Sequence, residues 1–136
     1  MSESERCSPV AEAIRRLVDA WNRRDADAFG SAFTPTAEYV TGAGQHIRGR
    51  ESIAALVDRN RDQPRLSVVE GPFVDHGGTT AKVRFAWVTA SDARVSRRGT
   101  IACTLVWHGK GWLIDALHNE ESGGARDSRT RRGRGA

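Results

Sequence analysis

Residues 20–56, AWNRRDADAFGSAFTPTAEYVTGAGQHIRGRESIAAL, decide the fold together with residues 111–120, GWLIDALHNE. In the first stretch, apolar residues recur at helical spacing on either side of a short extended segment. In the second, large apolar residues alternate with other residues up to His118, which is typical of a strand with one buried face. We therefore expect helices to fold over a curved sheet, and the concave side of such a sheet forms a cup.

Three helices are expected in the N-terminal half. Ser8 is the predicted N-cap of the first helix, with Pro9 at the first helical position, and the apolar stripe ends near Arg23. Asp25 is the predicted N-cap of a short second helix, which Pro35 stops. The predicted helices cover residues 9–23, 26–34 and 51–63, and short strands are expected at 37–40 and 45–48.

From Leu66 onward the apolar period changes from 3.6 residues to 2. Residues 83, 85 and 87 are large and apolar while 82 and 84 are basic, which predicts that odd-numbered residues of this strand face the core. Gly71-Pro72 indicates a bulge or an edge position, because proline donates no ladder hydrogen bond. Four strands are expected, at 66–75, 81–89, 93–107 and 112–119. Hairpin-joined strands after a helical half predict an α+β fold with a strongly curved antiparallel sheet.

Length and composition indicate a single domain. The chain has 136 residues, of which 38% are hydrophobic, and a chain of this size buries roughly two-thirds of its unfolded surface around one core. We predict a polar N-terminal extension over residues 1–8, one α+β domain over 9–120 and a basic tail over 121–136.

The basic charge of the chain is concentrated in its tail. The segment between Ser122 and Ala136 contains five arginines and one acid, Asp127. This surplus of four positive charges equals the net charge of +4. The tail has no large apolar residue, so burial cannot offset the entropy of ordering it, and we expect disorder. Because the tail lacks interleaved aromatic residues and the rest of the chain has no net charge, no specific nucleic-acid partner is expected.

The sequence carries no targeting, metal or cofactor signal. No apolar run approaches the roughly 18 residues of a membrane span, and the polar start MSESER lacks a signal-peptide apolar region, so we expect a cytoplasmic protein without a membrane partner. Cys7 and Cys103 lie far apart in sequence and form no metal spacing. Neither a phosphate loop, a nucleotide fingerprint nor a nucleophile elbow is present. No metal and no cofactor are therefore expected.

Four segments together resemble the nuclear transport factor 2-like superfamily over about residues 9–120. They are AIRRLVDAWNRRD, AFTPTAEYVTGAG, IRGRESIAAL and GWLIDALHNE, in this order and spacing. Members of the superfamily fold as a cone, with three helices packed into the concave side of a bent sheet. Within it, the chain resembles the SnoaL-like proteins of the SgcJ/EcaC type, which occur in bacterial natural-product pathways, including those that make enediynes.

The resemblance implies a fold more firmly than an activity. The superfamily includes isomerases, dehydratases, polyketide cyclases and proteins that only bind, so function has to be argued from the pocket. In the ketosteroid-isomerase branch a carboxylate base lies late in the strand after the second helix, and the matching residue here is Thr41. The isomerase mechanism therefore does not carry over.

His118 is the predicted acid or base. We expect Trp112, Ile114, Ala116 and His118 to share one face of the last strand, and the equivalent strand of related proteins lines the cavity. An imidazole with a pKa of about 6.5 can pass protons either way near neutrality, although a histidine held by a structural partner is the alternative. Tyr39 is the second candidate, as a phenolic donor to a carbonyl or enolate, although its short strand leaves the direction of the side chain open.

Five aromatic residues are predicted to form walls suited to an elongated or aromatic ligand, with plain core packing as the alternative for each. They are Trp21, Phe29, Phe33, Trp87 and Trp112. The polar residues Thr104, Asn119 and Glu120 lie near the wide end of the late strands. We expect them either to orient a ligand or to lie at a subunit contact.

Functions from different classes stay open at this point. The first is a small-molecule pocket protein of bacterial secondary metabolism, acting on a polyketide- or polyene-derived, enediyne-type intermediate by cofactor-free isomerisation, dehydration or cyclisation. The second is a non-catalytic protein that binds or chaperones a reactive hydrophobic intermediate, and the third is an interaction module that works by dimerising. A small hydrophobic molecule is the expected ligand, with biosynthetic enzymes as further partners, and the resemblance implies a homodimer through the outer face of the sheet.

Overall fold

The structure is a computed structural model that describes residues 3–91 and 94–122, and the side-chain surroundings of residues 9–90 and 97–122. Its helices are α1 (Glu3–Arg23), α2 (Ala26–Ser31) and α3 (Arg50–Arg59). Its strands are β1 (Phe33–Val40), β2 (His46–Arg48), β3 (Leu66–Gly77), β4 (Thr80–Ser91), β5 (Arg94–Trp107) and β6 (Trp112–Ser122). Residues 121 and 122, which the sequence assigned to the disordered tail, belong instead to β6, and from residue 123 onward the tail lies outside the described residues.

The helices confirm the predicted order, but the start of α1 differs. Helix α1 begins at Glu3, so Pro9 lies inside it and the predicted cap at Ser8 is wrong. Asp25 caps α2 as expected, because its carboxylate accepts a hydrogen bond of 3.1 Å from the Ala28 N–H. In the part of the chain that the structure describes, no helix is both long enough and apolar enough to cross a membrane.

Helix α2 is shorter than predicted and ends at Ser31. Strand pairing begins immediately after it, since the Ile114 N–H donates to the Ala32 carbonyl at 2.8 Å. Lengthening a short helix adds few hydrogen bonds relative to the backbone entropy that it costs. The residues after Ser31 therefore form a strand that pairs with the central strand β6. Phe33 therefore lies in β1 and not on the second helix.

The strands form one mixed sheet in the order β2-β1-β6-β5-β4-β3. Strands β1 and β6 run parallel, and this pair alone departs from the antiparallel arrangement that the sequence predicted. The β3–β4 register shifts around Gly71-Pro72, as expected for a bulge. In β4 the odd-numbered residues 81–89 are buried, which confirms the predicted faces of this strand.

Strand β6 contains a bulge that decides which of its side chains face inward. Leu105 of β5 pairs with Ile114, but the preceding Thr104 pairs with Ala116, so Asp115 is an extra residue. One extra residue exchanges the two faces of the strand beyond it. Ile114 and Leu117 are therefore both buried, whereas His118 is exposed.

The core lies between the helices and the inner face of the sheet, the face against which they pack. Helix α1 contributes buried residues at helical spacing, and α3 contributes a second apolar stripe. The largest side chains that are fully buried are Phe33, Phe85, Ile14, Ile53, Leu105 and Ile114. The predicted α+β class, with helices covering one face of the sheet, is confirmed.

Candidate functional site

A small cavity lies between α1, α2 and the inner face of β4, β5 and β6, and we call it the inner cavity. Its volume is about 60 Å³, far below the roughly 300–1,000 Å³ of pockets that hold drug-sized ligands. The concave side of the sheet is thus largely filled by side chains. The lining residues are Leu17, Val18, Trp21, Phe29, Tyr39, Gln63, Leu66, Phe85, Trp87, Thr89, Arg97, Ile101, Leu117 and Asn119.

Aromatic rings form one wall of the inner cavity. The ring centroids of Trp21 and Phe29 are 5.3 Å apart, and those of Phe29 and Tyr39 are 6.5 Å apart, both in tilted arrangements. Phe33 contacts Phe29 and Tyr39 from behind, at centroid distances of 5.5 and 6.0 Å, and it is completely buried. Phe33 is therefore a core residue that supports this wall without lining the cavity.

Trp87 and Asn119 line the opposite wall and hold each other. The indole N–H of Trp87 donates to the Asn119 side-chain oxygen at 2.9 Å, and both residues are buried. Gly99 stands across the β4–β5 ladder from Trp87. A Cβ atom at Gly99 would come within 2.7 Å of the indole, so the absence of a side chain there allows the ring to lie against the strand.

Tyr39 reaches the inner cavity as a neutral hydrogen-bond donor. Burial raises the pKa of the Tyr39 phenol well above its ordinary value of 10.0, Cys103 raises it further, and Arg97 partly opposes both effects. The phenol therefore stays protonated near neutrality. Its hydroxyl makes no hydrogen bond with any other residue in the described ranges, so it can donate to a ligand.

Arg97 closes one end of the inner cavity. Its guanidinium donates to Glu121 through Nε and Nη2, at 2.6 and 3.2 Å, and to the Gln63 side-chain oxygen through Nη1 at 2.7 Å. Its Cζ atom lies 5.8 Å from the centroid of the Trp87 ring, within the range of a cation–π contact. The sequence prediction missed Arg97. Its position in β5 could have identified it. The odd-numbered residues Ile101, Cys103 and Leu105 face the core, and Arg97 is also odd-numbered.

Thr89 brings an unsatisfied polar group to the same end of the cavity. Its side chain lines the cavity and the residue is only 4% exposed. Its hydroxyl is, among the residues that the structure describes, the one buried side-chain N or O atom without a hydrogen-bond partner. A buried polar group left unpaired costs about 1–3 kcal/mol, so such an atom requires an explanation.

The other predicted site residues lie away from the inner cavity. His118 and Thr104 project from the outer face of the sheet, because the bulge at Asp115 reverses the faces of β6 and because even-numbered residues of β5 face outward. The prediction that His118 reaches into the cup is therefore wrong. Trp112 lies near the hairpin that joins β5 to β6, with its ring 5.3 Å from His76 and 5.6 Å from Trp107. Glu120 is exposed.

His118 and Thr104 instead line a broad depression on the outer face of β1, β6, β5, β4 and β3, which we call the outer trough. Its volume is about 600 Å³. Small residues form its floor, and charged residues and Phe73 stand along its sides. The lining residues are Glu38, Val40, Phe73, Val74, Asp75, Lys82, Val83, Arg84, Ala102, Cys103, Thr104, Ala116, Leu117 and His118.

The described side chains offer no metal site. Within residues 9–90 and 97–122, no group of three or more His, Cys, Asp or Glu side chains comes close enough to hold a metal ion. Cys103 is buried on the inner face, and this burial raises the pKa of its thiol, which therefore stays protonated near neutrality. The side chain of Cys7 lies outside the described residues.

Comparisons with solved structures support the fold. A domain of unknown function with a cystatin-like fold from Nostoc punctiforme superposes with a TM-score of 0.78 at 22% identity, over 95% of this chain and 84% of its own. A nuclear transport factor 2-like protein from Novosphingobium aromaticivorans gives a TM-score of 0.75 at 24% identity, over 90% and 85%. A Mycobacterium tuberculosis protein of unknown function gives 0.74 at 17% identity, over 88% and 78%. At these identities the likeness shows the fold alone.

Sequence comparison shows the family. No curated protein matches the chain. A family model described as the SnoaL-like domain matches residues 14–113, well over half of the chain. The protein therefore belongs to the SnoaL-like domain family, and it has the nuclear transport factor 2-like, cystatin-like fold of its structural relatives.

Proposed function

We propose that the inner cavity binds a compact, mainly apolar small molecule, and that binding rather than proton transfer is the function of this site. The observation that carries the proposal is the unpaired Thr89 hydroxyl in a cavity that is walled mainly by aromatic and aliphatic side chains. A folded protein tolerates such a group at a cost of about 1–3 kcal/mol. A ligand that pairs with this hydroxyl removes the cost and gains affinity from it.

Proton-transfer chemistry has little support from the residues at the site. Of the described residues that line the inner cavity, those that ionise are Tyr39 and Arg97. Tyr39 has a raised pKa and keeps its proton, and a guanidinium group has no acceptor, so neither residue acts as a base near neutral pH. The nearby Glu121 carboxylate is held by Arg97 through two hydrogen bonds. If a bound carbonyl is polarised at all, Tyr39 is the residue placed to donate to it.

The size of the inner cavity limits what it can hold. A volume of about 60 Å³ admits only a few non-hydrogen atoms, so a longer polyketide- or enediyne-type intermediate requires the cavity to open. The cavity is bounded on the helical side by Val18 and Trp21, which are only partly buried. Secondary metabolism remains our proposal for the biological setting, and it is supported by the resemblance of the sequence.

Tryptophan fluorescence tests the binding proposal, because Trp21 and Trp87 line the cavity while Trp107 and Trp112 do not. Mass spectrometry of the native protein first identifies any molecule that co-purifies, and compact apolar probes are then titrated. We expect saturable changes in emission that are retained in Trp107→Phe and altered in Trp87→Phe. Absence of saturable binding, or equal responses from these two variants, would overturn the proposal.

We also propose that the outer trough is the contact surface for a second copy of the chain. Lys82, Thr104, Ala116 and Glu38 pair in succession across β4, β5, β6 and β1, so they form one row. A twofold axis between Thr104 and Ala116 would bring Lys82 of one copy opposite Glu38 of the other. The small side chains of Ala102, Thr104 and Ala116 at the floor of the trough favour close approach.

A further inference from the structure

We infer that the inner cavity selects a neutral ligand with a hydrogen-bond acceptor, such as a ketone, ester or lactone carbonyl, and that this oxygen binds between Thr89 and Arg97. The inference rests on the proposed binding function and names the chemical class of the ligand. Thr89 and Arg97 are directly paired across the β4–β5 ladder, and both line the cavity. Side chains paired in this way have Cβ atoms about 4.5–5.5 Å apart, so Thr89 and Arg97 are neighbours on the inner face, and an oxygen bound at the Thr89 hydroxyl lies beside the Arg97 side chain.

The amide and carboxylate oxygens at this end of the cavity each accept a hydrogen bond already. The Asn119 oxygen accepts from the Trp87 indole, and the Gln63 oxygen accepts from Arg97. Both carboxylate oxygens of Glu121 also accept from Arg97. A ligand that offers only donors is therefore left with the hydroxyl oxygens of Thr89 and Tyr39, and it leaves the spare N–H groups of the site without partners.

Donors, in contrast, are left over. Arginine carries five N–H groups, and the guanidinium of Arg97 uses three of them on Glu121 and Gln63. The Asn119 side-chain amide makes no donor hydrogen bond to any described residue. The hydroxyls of Thr89 and Tyr39 add two more groups that can donate. This surplus of donors matches a ligand that brings acceptors.

The charge balance favours a neutral acceptor over a carboxylate. Arg97 and Glu121 form an ion pair in which each side chain is about a quarter exposed, 26% and 25%. Their charges cancel, and the geometry is the bidentate one that arginine prefers. An anionic ligand would have to displace Glu121 or lie beside its like charge in a partly desolvated site, and both are unfavourable. A neutral carbonyl uses the spare N–H groups without either cost.

Three probes of similar size separate these possibilities: cyclopentanone, cyclopentane and cyclopropanecarboxylate. Binding is followed in solution by the indole N–H resonance of Trp87, which Trp87→Phe assigns by removing it. We expect cyclopentanone to bind more tightly than cyclopentane by about three- to tenfold, the effect of one net hydrogen bond. The carboxylate is expected to bind most weakly of the three.

The variant Thr89→Val removes the hydroxyl and keeps the shape of the side chain. It is expected to weaken cyclopentanone binding by about three- to tenfold while leaving cyclopentane binding unchanged. Thr36→Val, at an exposed position of β1, is the matched control and should change neither. If cyclopentane and cyclopentanone bind equally well and Thr89→Val has no effect, the inference is wrong but the binding function stands. Tightest binding of the carboxylate also overturns it, and failure of all three probes to bind overturns both proposals.

Discussion

Trp87 and Asn119, which are separated by 32 positions in the chain, hold each other along one wall of the inner cavity through a buried hydrogen bond of 2.9 Å. The bond joins β4 to β6 over the intervening strand β5 where the cavity lies. Gly99 on β5 has no side chain, and this leaves room for the Trp87 indole to reach over β5 to Asn119. The cavity wall is thus fixed by contacts within the sheet.

A double-mutant cycle tests how much this bond contributes to stability. Asn119→Leu leaves the Trp87 N–H buried without an acceptor, and we expect the free energy of unfolding to fall by about 1–3 kcal/mol. With Trp87→Phe already present, Asn119→Leu should cost less, because no donor is left unpaired. Urea unfolding of the four proteins gives the coupling energy, expected at about 1 kcal/mol. A coupling energy of zero would show that the two residues act independently.

Gly99 is predicted to be intolerant of even one methyl group. A Cβ atom there would lie 2.7 Å from the Trp87 ring and 2.9 Å from the Glu120 carbonyl oxygen. We expect Gly99→Ala to lower the free energy of unfolding by about 1–3 kcal/mol, the usual cost of overpacking, and to shift Trp87 emission. Gly111→Ala is the matched control, since no atom lies within 4 Å of its added Cβ and no stability change should follow. Equal losses in both variants would indicate a general glycine effect.

The local patterns of the sequence predict most of the fold. Features that depend only on neighbouring residues were predicted correctly, and the structure confirms them. They are the alternation in β4, the cap at Asp25 and the register break at Gly71-Pro72. The prediction for His118 was wrong because it depended on which residues of β6 face inward beyond Asp115. A bulge forms against a partner strand, so the sequence of one strand does not show it. The segment WLIDALHNE fits an alternating strand with or without the bulge.

The inner cavity itself could be predicted only in part. Trp21, Phe29, Tyr39, Trp87 and Asn119 do line it, because large residues on the inner face meet where the sheet curves. Arg97 was missed because a partly buried arginine is recognised by its acidic partner, and Glu121 lies 24 residues away in sequence. The size of the cavity also lay beyond prediction, since it is set by how many side chains fill the concave face and not by the pattern of any one strand.

Thr89→Val should stabilise the ligand-free protein. The variant replaces an unpaired buried hydroxyl by a methyl group of similar size, so the desolvation cost of that hydroxyl is removed. We expect the free energy of unfolding to rise by about 1 kcal/mol, measured by urea unfolding. Thr34→Val makes the useful contrast, because the Thr34 hydroxyl donates to Asp115 at 2.9 Å and its loss should destabilise. If Thr89→Val destabilises as well, its hydroxyl has a partner in solution.

Stability is expected to decline at alkaline pH through Tyr39. Burial raises the pKa of this phenol in the folded state above its ordinary value of 10.0, so the folded state holds the proton more tightly than the unfolded chain. The contribution is complete below about pH 10 and is lost as the pH rises further, by up to about 1.4 kcal/mol per pH unit. Cys103 acts in the same direction from its ordinary pKa of 9.0.

The variant Tyr39→Phe isolates the contribution of Tyr39 to the pH dependence of stability, because the chain contains a single tyrosine. We expect the slope of unfolding free energy against pH to be shallower in Tyr39→Phe than in the parent protein above about pH 10, with no difference in slope below about pH 8. The absorbance of tyrosinate should appear only together with unfolding in the parent protein. Ionisation of Tyr39 in the folded state at its ordinary pKa would contradict the burial argument.

Charge exchange tests the proposed contact of two copies through the outer trough. Lys82 makes no ion pair with any residue within the described ranges, and Glu38 pairs only with Arg48 there, so both can meet a second copy. Lys82→Glu should place two acids opposite each other and weaken self-association by about threefold or more, as like charges at an interface do. Glu38→Lys should have the same effect, and the double exchange should restore association because the opposite charges again face each other. Sedimentation equilibrium of the four proteins measures the association constant. Additive losses in the double variant, or a monomeric parent protein, would show that the outer trough does not join two copies in this way.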